Sequence, residues 1–145
     1  MNNTVVRRLR PEDAEEVSRI SASITLSKDN TDFRHVVEKQ TQSEDGASFV
    51  AERGDCLVGY YISYILSGSF GIEKSAWVAR LGVDPAFMGQ GIGEMMAAEA
   101  FKYYKERGIR DVYSSVRWDS ADLLSFFKTL GFQKSDFIHL YKRLE

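Results

Sequence analysis

Three glycines at alternate positions, Gly89, Gly91 and Gly93, lie between a proline-containing turn and a long apolar stretch. Because glycine has no Cβ, successive backbone N–H groups in such a loop can close around a phosphate at the positive end of a following helix. The alternative is a glycine-rich turn that only lets a strand and a helix pack closely. The strand ending at Val83 and the apolar helix after the loop favour phosphate binding.

Two well-known phosphate-binding motifs do not fit this loop. A P-loop ends in Gly-Lys-Ser/Thr, whereas Gly93 is followed by Glu94 and Met95. A dinucleotide-binding fold needs a third glycine three residues after the second, where this chain has Glu94, and that motif normally opens its domain. The sequence therefore disfavours ATP and NAD as ligands.

Composition restricts the other classes of function. The 145 residues include 19 Lys+Arg and 21 Asp+Glu, a formal net charge of −2 that gives no global positive field for nucleic acid. Cys56 is the single cysteine, so we expect neither an intrachain disulfide nor a Cys/His metal site. There is no apolar run of membrane-spanning length and no signal-peptide core. We expect one soluble, cytoplasmic domain over residues 1–145, without metal, nucleic-acid or membrane partners.

The hydropathy pattern places the loop within an alternation of strands and helices. Strands are predicted at about 4–9, 48–52, 57–66, 75–83, 111–116 and 137–142, and helices at about 11–20, 31–41, 91–107 and 120–130. Within the fourth strand, Trp77, Ala79, Leu81 and Val83 are predicted to share one face. The order βααβββαβαβ mixes hairpins with parallel crossovers, which predicts a layered α+β fold.

Two segments carry a family resemblance. The first reads Val83-Asp84-Pro85 and then Met88-Gly89-Gln90-Gly91-Ile92-Gly93, and the second ends a helix with Leu130-Gly131-Phe132. Together they resemble the signatures of the GNAT superfamily, the acyl-CoA-dependent N-acetyltransferases. In that family a strand ending in Val-x-Pro precedes an Arg or Gln, two residues, Gly, one residue, and Gly or Ala. The opening segment 9–14 and the strand pair around 50–60 also match, so the resemblance covers nearly the whole chain.

The resemblance implies both a fold and an activity. The sheet is expected to be mixed and mostly antiparallel, flanked by helices, with fourth and fifth strands that splay to admit the pantetheine arm of acetyl-CoA. Acetyl-CoA is then the donor, and the acetyl group passes to a primary amine by direct attack in a ternary complex. The cofactor-binding residues implied are Leu81, Gly82, Val83, Met88, Gly89, Gln90, Gly91, Ile92 and Gly93.

Two residues depart from the family pattern. Met88 replaces an Arg or Gln, so a hydrogen bond to the charged cofactor is lost, worth roughly 1.5–3 kcal/mol. Phe127 stands where many members carry a tyrosine proposed to protonate the departing thiolate. Tyr60, Tyr61 and Tyr64 are candidate substitutes, although aromatic residues on strands mostly pack in cores. An alternative is therefore a non-catalytic acyl-CoA-binding regulatory module.

Amine acetylation needs a base, because an alkyl ammonium must lose a proton before it can attack. Asp119, just past the fifth strand, is one candidate, with helix capping as its alternative role. Glu73, before the fourth strand, is the second, with simple solvation as its alternative. Arg80, within the fourth strand, pairs either an acidic group of the substrate or a neighbouring carboxylate.

The acceptor amine is expected on a small molecule, a protein N-terminus or a lysine. By resemblance, the polar segments 21–30 and 133–136 flank the groove in which it would bind. An exposed final strand could also pair with a second copy of the chain and form a homodimer.

Overall fold

The computed structural model describes residues 3–24, 32–43, 46–67 and 74–145. Glu73 and most of the polar segment 21–30 lie outside these ranges. The elements in chain order are β1 (Thr4–Arg8), a 3₁₀ turn (Pro11–Asp13), α1 (Ala14–Ile24), α2 (Phe33–Gln42), β2 (Phe49–Arg53), β3 (Cys56–Ser67), β4 (Lys74–Val83), a second 3₁₀ turn (Pro85–Phe87), α3 (Ile92–Glu106), β5 (Asp111–Ser114) and α4 (Ala121–Thr129).

The five strands form one sheet in the order β1-β2-β3-β4-β5. Successive pairs from β1 to β4 are antiparallel, and α3 connects β4 to its neighbour β5. The prediction of a mixed, mostly antiparallel sheet flanked by helices is confirmed. Among the described residues no helix is long and apolar enough to cross a membrane.

A bulge in β4 changes which side chains share a face. Ile62 lies opposite Arg80 and Ser63 lies opposite Val78, so Ala79 is an extra residue in β4. As a result Trp77 and Arg80 lie on one face of the sheet and Leu81 lies on the other. The predicted alternation that placed Trp77, Ala79 and Leu81 together is wrong, because a single inserted residue reverses the alternation beyond it.

The helices α1 and α2 pack over one face of the sheet. Val17 and Ile20 of α1 are buried in a core with Val37 of α2 and Ile62 of β3. The helix was predicted to end near Ile20, but it continues to Ile24. Ile24 stands one turn further along the same stripe and packs against this core, which favours the additional turn.

The apolar helix α3 contributes a second buried layer. Its buried residues are Ile92, Met96, Ala97, Ala100 and Tyr104. The hydroxyl of Tyr104 donates to Ser63 Oγ at 2.6 Å and lies 3.2 Å from the hydroxyl of Tyr61. These contacts attach α3 to β3 and fix the helix whose amino end carries the glycine loop.

Residues 1–113 and 114–145 form two compact units. In the second unit, Phe127 of α4 is buried, with its ring 5.7 Å from that of Phe126 and 4.8 Å from that of Phe132. The sixth strand predicted at 137–142 is wrong, since the described residues 132–145 contain no strand. Alternating apolar residues favour a strand, but a strand also needs ladder partners for its backbone groups. The single domain expected from chain length remains a prediction.

Candidate cofactor site

The end of β4 is packed closely against an aromatic ring. A Cβ at Gly82 would lie 2.6 Å from Cε1 and 2.8 Å from the hydroxyl oxygen of Tyr60. Tyr60 is itself buried and packs edge-on against Phe33, with 6.0 Å between the ring centroids. Position 82 therefore accepts glycine alone unless a buried ring moves. The hydroxyl of Tyr60 lies beside the backbone of the strand end.

The turn after β4 is held at its first residue, Asp84. Its backbone N–H donates to the carbonyl of Val58 at 2.8 Å, and its carboxylate accepts from the N–H of Ala86 at 3.0 Å. Arg19 of α1 donates to the same carboxylate at 3.2 Å. The N–H of Ala86, followed by Arg19, lowers the pKa of Asp84. The turn that leads into the glycine loop is thus fixed by three separate contacts.

Two loop glycines adopt a backbone conformation that other residues rarely tolerate. Gly89 has φ +80° and Gly91 has φ +77°, and a Cβ at either position would meet nothing within 4 Å. Close packing therefore does not explain these two glycines, whereas the left-handed backbone does. Gly91 is the N-cap of α3, so the loop delivers the unpaired N–H groups and positive dipole end of a 15-residue helix.

The side chains of the predicted cofactor-binding residues contribute little to this loop. Met88 is 55% exposed and apolar, and the side chain of Ile92 is buried in the core. Gly93 lies in the first turn of α3. Any anion held here would be bound mainly by backbone groups, which is the chemistry that a helix N-terminus offers.

Gln90 is attached to the rest of the molecule through Arg53, the last residue of β2. Nη2 of Arg53 donates to Gln90 Oε1 at 2.7 Å and to Thr4 Oγ1 at 3.1 Å. The guanidinium carbon also lies 5.0 Å from the centroid of the Phe87 ring. Sequence reasoning missed Arg53, because 37 positions separate it from Gln90 and no local motif connects them.

The structure brings together only part of the predicted site. Residues 81–83 and 88–93 are joined through the 3₁₀ turn Pro85–Phe87 within the first unit. Glu73 lies outside the described residues, and Asp119 belongs to the second unit. In the described ranges no group of three or more His, Cys, Asp or Glu side chains is arranged to hold a metal ion.

Asp119 is exposed and forms a two-point ion pair with Arg117. Nε and Nη2 of Arg117 each donate to one carboxylate oxygen at 3.0 Å. These hydrogen bonds lower the pKa of Asp119. The N-cap of α4 is Ser120, so the helix-capping role considered for Asp119 is not the one that the structure shows.

The three candidate tyrosines have different environments. Tyr61 is buried beside Tyr104, and burial raises its pKa, which makes it a poor proton donor at neutral pH. Tyr64 is half-buried further along β3. Tyr60 is the one whose hydroxyl lies beside Gly82.

Arg80 lies on the face of the sheet that α1 and α2 cover. Its guanidinium carbon is 5.3 Å from the centroid of the Phe33 ring. On the same face, the rings of Trp77 and Tyr113 are stacked at 4.8 Å.

Comparison with known sequences identifies relatives of this chain. Residues 14–132 match the sequence profile described as the acetyltransferase (GNAT) family. The chain is 32% identical over 96 residues to the mycothiol acetyltransferase of Amycolatopsis mediterranei, an alignment that covers 64% of this chain and 32% of the relative. It is 23% identical over 110 residues to the mycothiol acetyltransferase of Renibacterium salmoninarum, covering 76% of this chain and 32% of that protein. The chain therefore spans about a third of the length of these relatives.

Solved structures share the fold. The aminoglycoside acetyltransferase meta-AAC0020 from an uncultured soil metagenomic sample, in complex with sisomicin, superposes with a TM-score of 0.81 at 21% identity, covering 99% of this chain and 97% of that one. Aminoglycoside N-acetyltransferase AAC(6')-Iy in complex with CoA gives 0.84 at 16% identity, covering 99% and 96%. The ribosomal-protein-alanine N-acetyltransferase from Brucella melitensis biovar Abortus 2308 gives 0.79 at 18% identity, covering 97% and 99%.

Proposed function

Because this chain belongs to the acetyltransferase (GNAT) family, we propose that it transfers an acetyl group from acetyl-CoA to a primary amine by direct attack in a ternary complex. The observation that carries the proposal is the backbone of the glycine loop. Gly89 and Gly91 adopt positive φ at the amino end of α3, at the position of the family's cofactor motif. Such a loop presents N–H donors and a helix dipole to an anion.

The residues present fit the anionic part of acetyl-CoA. Open space where Gly89 and Gly91 lack a Cβ leaves room for a ligand to approach the backbone. Backbone donors over 88–93 would bind the pyrophosphate, and the backbone of Leu81, Gly82 and Val83 would bind the pantetheine arm and acyl oxygen. Acetyl-CoA supplies the activated acetyl group as a thioester.

The proposed transfer requires three proton movements. The acceptor ammonium gives one proton to a base, and the neutral amine then bonds to the acyl carbon and loses a second proton from nitrogen. The carbon–sulfur bond breaks to release a thiolate, which takes up a proton to leave as the thiol. We propose Asp119 as the base, with Glu73 as the second candidate. The hydrogen bonds from Arg117 lower the pKa of Asp119, which favours the ionised carboxylate and also weakens it as a base.

Phe127 has no O–H to give to the thiolate. Among the three candidate tyrosines, Tyr60 is the best supported as the proton donor to the thiolate, because its hydroxyl lies beside Gly82. Water is the alternative donor. This departure also favours the second candidate function, a non-catalytic acyl-CoA-binding regulatory module. Such a module would bind the same ligand and release no thiol.

The acceptor class is inferred from charge and from the names of structural neighbours. Those proteins are named for aminoglycoside and for ribosomal-protein alanine acceptors. We propose an amine on a small molecule, a protein N-terminus or a lysine. The net charge of −2 weakly favours a cationic acceptor through screened steering.

We also propose that the chain forms a homodimer. Ile138, Leu140 and Tyr141 in the C-terminal segment are 79%, 82% and 76% exposed. A run of exposed apolar side chains marks an interaction surface, and a second copy would cover it. Light scattering coupled to size-exclusion chromatography should give twice the chain mass, and a monomer at all concentrations would refute the dimer.

The test of function combines binding with turnover. A thermal-shift titration compares acetyl-CoA, CoA, ATP and NAD, because a ligand at 100 times its Kd adds about 2.7 kcal/mol of stability and raises Tm by several degrees. We expect a rise with acetyl-CoA and CoA only. Thiol release from acetyl-CoA is then followed with a panel of amines.

Each result assigns the function. Binding with amine-dependent thiol release supports the transferase, and binding without release for any amine class supports the regulatory module. No shift with either CoA species at millimolar concentration would contradict both. Stabilisation by ATP or NAD instead would assign the loop to nucleotide binding.

A further inference from the structure

We propose that Arg53 is a positioning residue for the glycine loop and supplies the positive charge that a bound diphosphate ester needs. This inference rests on the proposed function, since it assigns the diphosphate to the cofactor's pyrophosphate. Arg53 lies at the end of β2, far in sequence from the loop, and its guanidinium contacts both the loop and the turn before it.

The contacts of Arg53 connect three parts of the first unit. Nε and Nη2 lie 3.2 Å and 3.1 Å from Thr4 Oγ1, which fixes the guanidinium to β1. The same Nη2 is 2.7 Å from Gln90 Oε1, and the guanidinium lies over the ring of Phe87 at 5.0 Å. A planar group with several donors can satisfy these partners together, which an ammonium cannot do.

The position of Gln90 explains why this contact matters. Gln90 lies between the two glycines with positive φ, Gly89 and Gly91. Glycine loses more conformational freedom on ordering than any other residue, so an unanchored loop would lose affinity when it becomes ordered around a ligand. By holding the side chain between the two glycines, Arg53 restricts the loop before the ligand arrives.

The charges around the loop support the second part of the proposal. No Lys or Arg occurs in the sequence between Arg80 and Lys102, and this stretch contains Asp84, Glu94 and Glu99. Arg19 is ion-paired with Asp84. Arg53 therefore brings a cation to a segment whose own charged side chains are acidic, where a diphosphate would otherwise be opposed.

The experiment compares two ligands that differ by the diphosphate. Acetyl-CoA and S-acetylpantetheine share the thioester and pantetheine arm, but only acetyl-CoA carries the pyrophosphate and nucleotide. Their Kd values are measured by NMR titration of the full chain, which reaches millimolar affinities, for the wild type, Arg53→Gln and Arg53→Lys. Arg107→Gln is the matched control, because its guanidinium also lies over an aromatic ring, that of Tyr103 at 4.3 Å.

We expect Arg53→Gln to weaken acetyl-CoA binding about tenfold or more while S-acetylpantetheine binding stays within twofold of wild type. Arg53→Lys should recover less than half of the lost acetyl-CoA affinity, because lysine keeps the charge but cannot contact Thr4 and Gln90 together. Arg107→Gln should change neither Kd.

Three results would overturn the inference while leaving the proposed function in place: an unchanged acetyl-CoA affinity in Arg53→Gln, an equal loss for both ligands, or full recovery in Arg53→Lys. A wild-type chain that does not bind acetyl-CoA would instead refute the proposed function. The thermal unfolding midpoint of each variant identifies a loss that comes from misfolding.

Discussion

The glycine loop and the segment after β5 differ in what determines their chemistry. In the loop, Gly89 and Gly91 with positive φ set the backbone conformation, Arg53 of β2 contacts Gln90, and the local side chain Met88 contributes no polar group. In residues 114–132, the candidate chemistry depends on single side chains: the exposed Asp119 is the proposed base, and the buried Phe127 has no hydroxyl. A backbone site tolerates substitutions such as Met88, whereas a side-chain site can be lost through one residue.

The largest effect should come from the side-chain half of this comparison. Asp119→Asn removes the proposed base, and we expect kcat to fall by roughly 10²-fold or more with little change in the KM for acetyl-CoA. Steady-state thiol release measures both constants. Asp122→Asn, an exposed carboxylate in the first turn of α4, serves as the control. An Asp119→Asn enzyme within threefold of wild type would assign the base elsewhere.

The ion pair between Arg117 and Asp119 makes the role of Asp119 testable through the pH dependence of kcat/KM. Arg117 lowers the pKa of Asp119, so Arg117→Ala should let that pKa rise toward its ordinary value of 3.8. A base must be deprotonated to act, and the acidic limb of the kcat/KM profile should therefore move to higher pH. A profile that stays in place, with the same acceptor, would argue against Asp119.

A matched pair of glycines tests the backbone half. Gly91 and Gly108 have φ +77° and +75° at opposite ends of α3, and a Cβ at either would meet open space. Gly91→Ala and Gly108→Ala should each lower the free energy of unfolding by about 1–2 kcal/mol, the cost of a left-handed alanine. Urea denaturation measures this cost, and we expect only Gly91→Ala to weaken acetyl-CoA binding, by about tenfold. If Gly91→Ala and Gly108→Ala weakened acetyl-CoA binding equally, the backbone conformation at Gly91 would have no particular role in binding the cofactor.

The smallest effect concerns the charge that supports the turn before the loop. The pKa of Asp84 is lowered from 3.8 in the folded chain, so the ionised carboxylate stabilises the fold above that value and the contribution is lost as the pH falls through the folded pKa. Asp84→Asn should cost about 0.5–1 kcal/mol at pH 7, because an amide can still accept from Ala86 while Arg19 loses a partly exposed ion pair.

Urea denaturation of wild type and Asp84→Asn at pH 7, 5, 4 and 3 measures the difference in their free energies of unfolding. This difference should become smaller as the pH falls. Asp55→Asn, in the exposed turn between β2 and β3, should show no such difference. A difference in free energy of unfolding that is constant with pH would mean that the charge of Asp84 does not contribute to stability.

Local sequence patterns predicted helices and strands well where an apolar periodicity was followed by a residue that ends the element, such as glycine. The apolar stretch after Gly91 became α3, and Gly108 lies just past its end. The alternation in β4 was misassigned beyond Ala79, because a bulge depends on pairing with β3. The strand expected at 137–142 did not form, since alternation cannot provide a ladder partner. Apart from α1, which continues four residues past its predicted end, bounds shifted by one or two residues elsewhere, as helix and strand ends depend on tertiary contacts.

The sequence by itself determined the glycine loop, its place between β4 and α3, and the family to which the chain belongs, because these depend on residue types close together along the chain. Only the tertiary structure decided which distant residues serve that loop. Arg53 reaches Gln90 across 37 positions, and Tyr60 fills the space beside Gly82. Such contacts depend on strand register and side-chain packing, which no local pattern encodes.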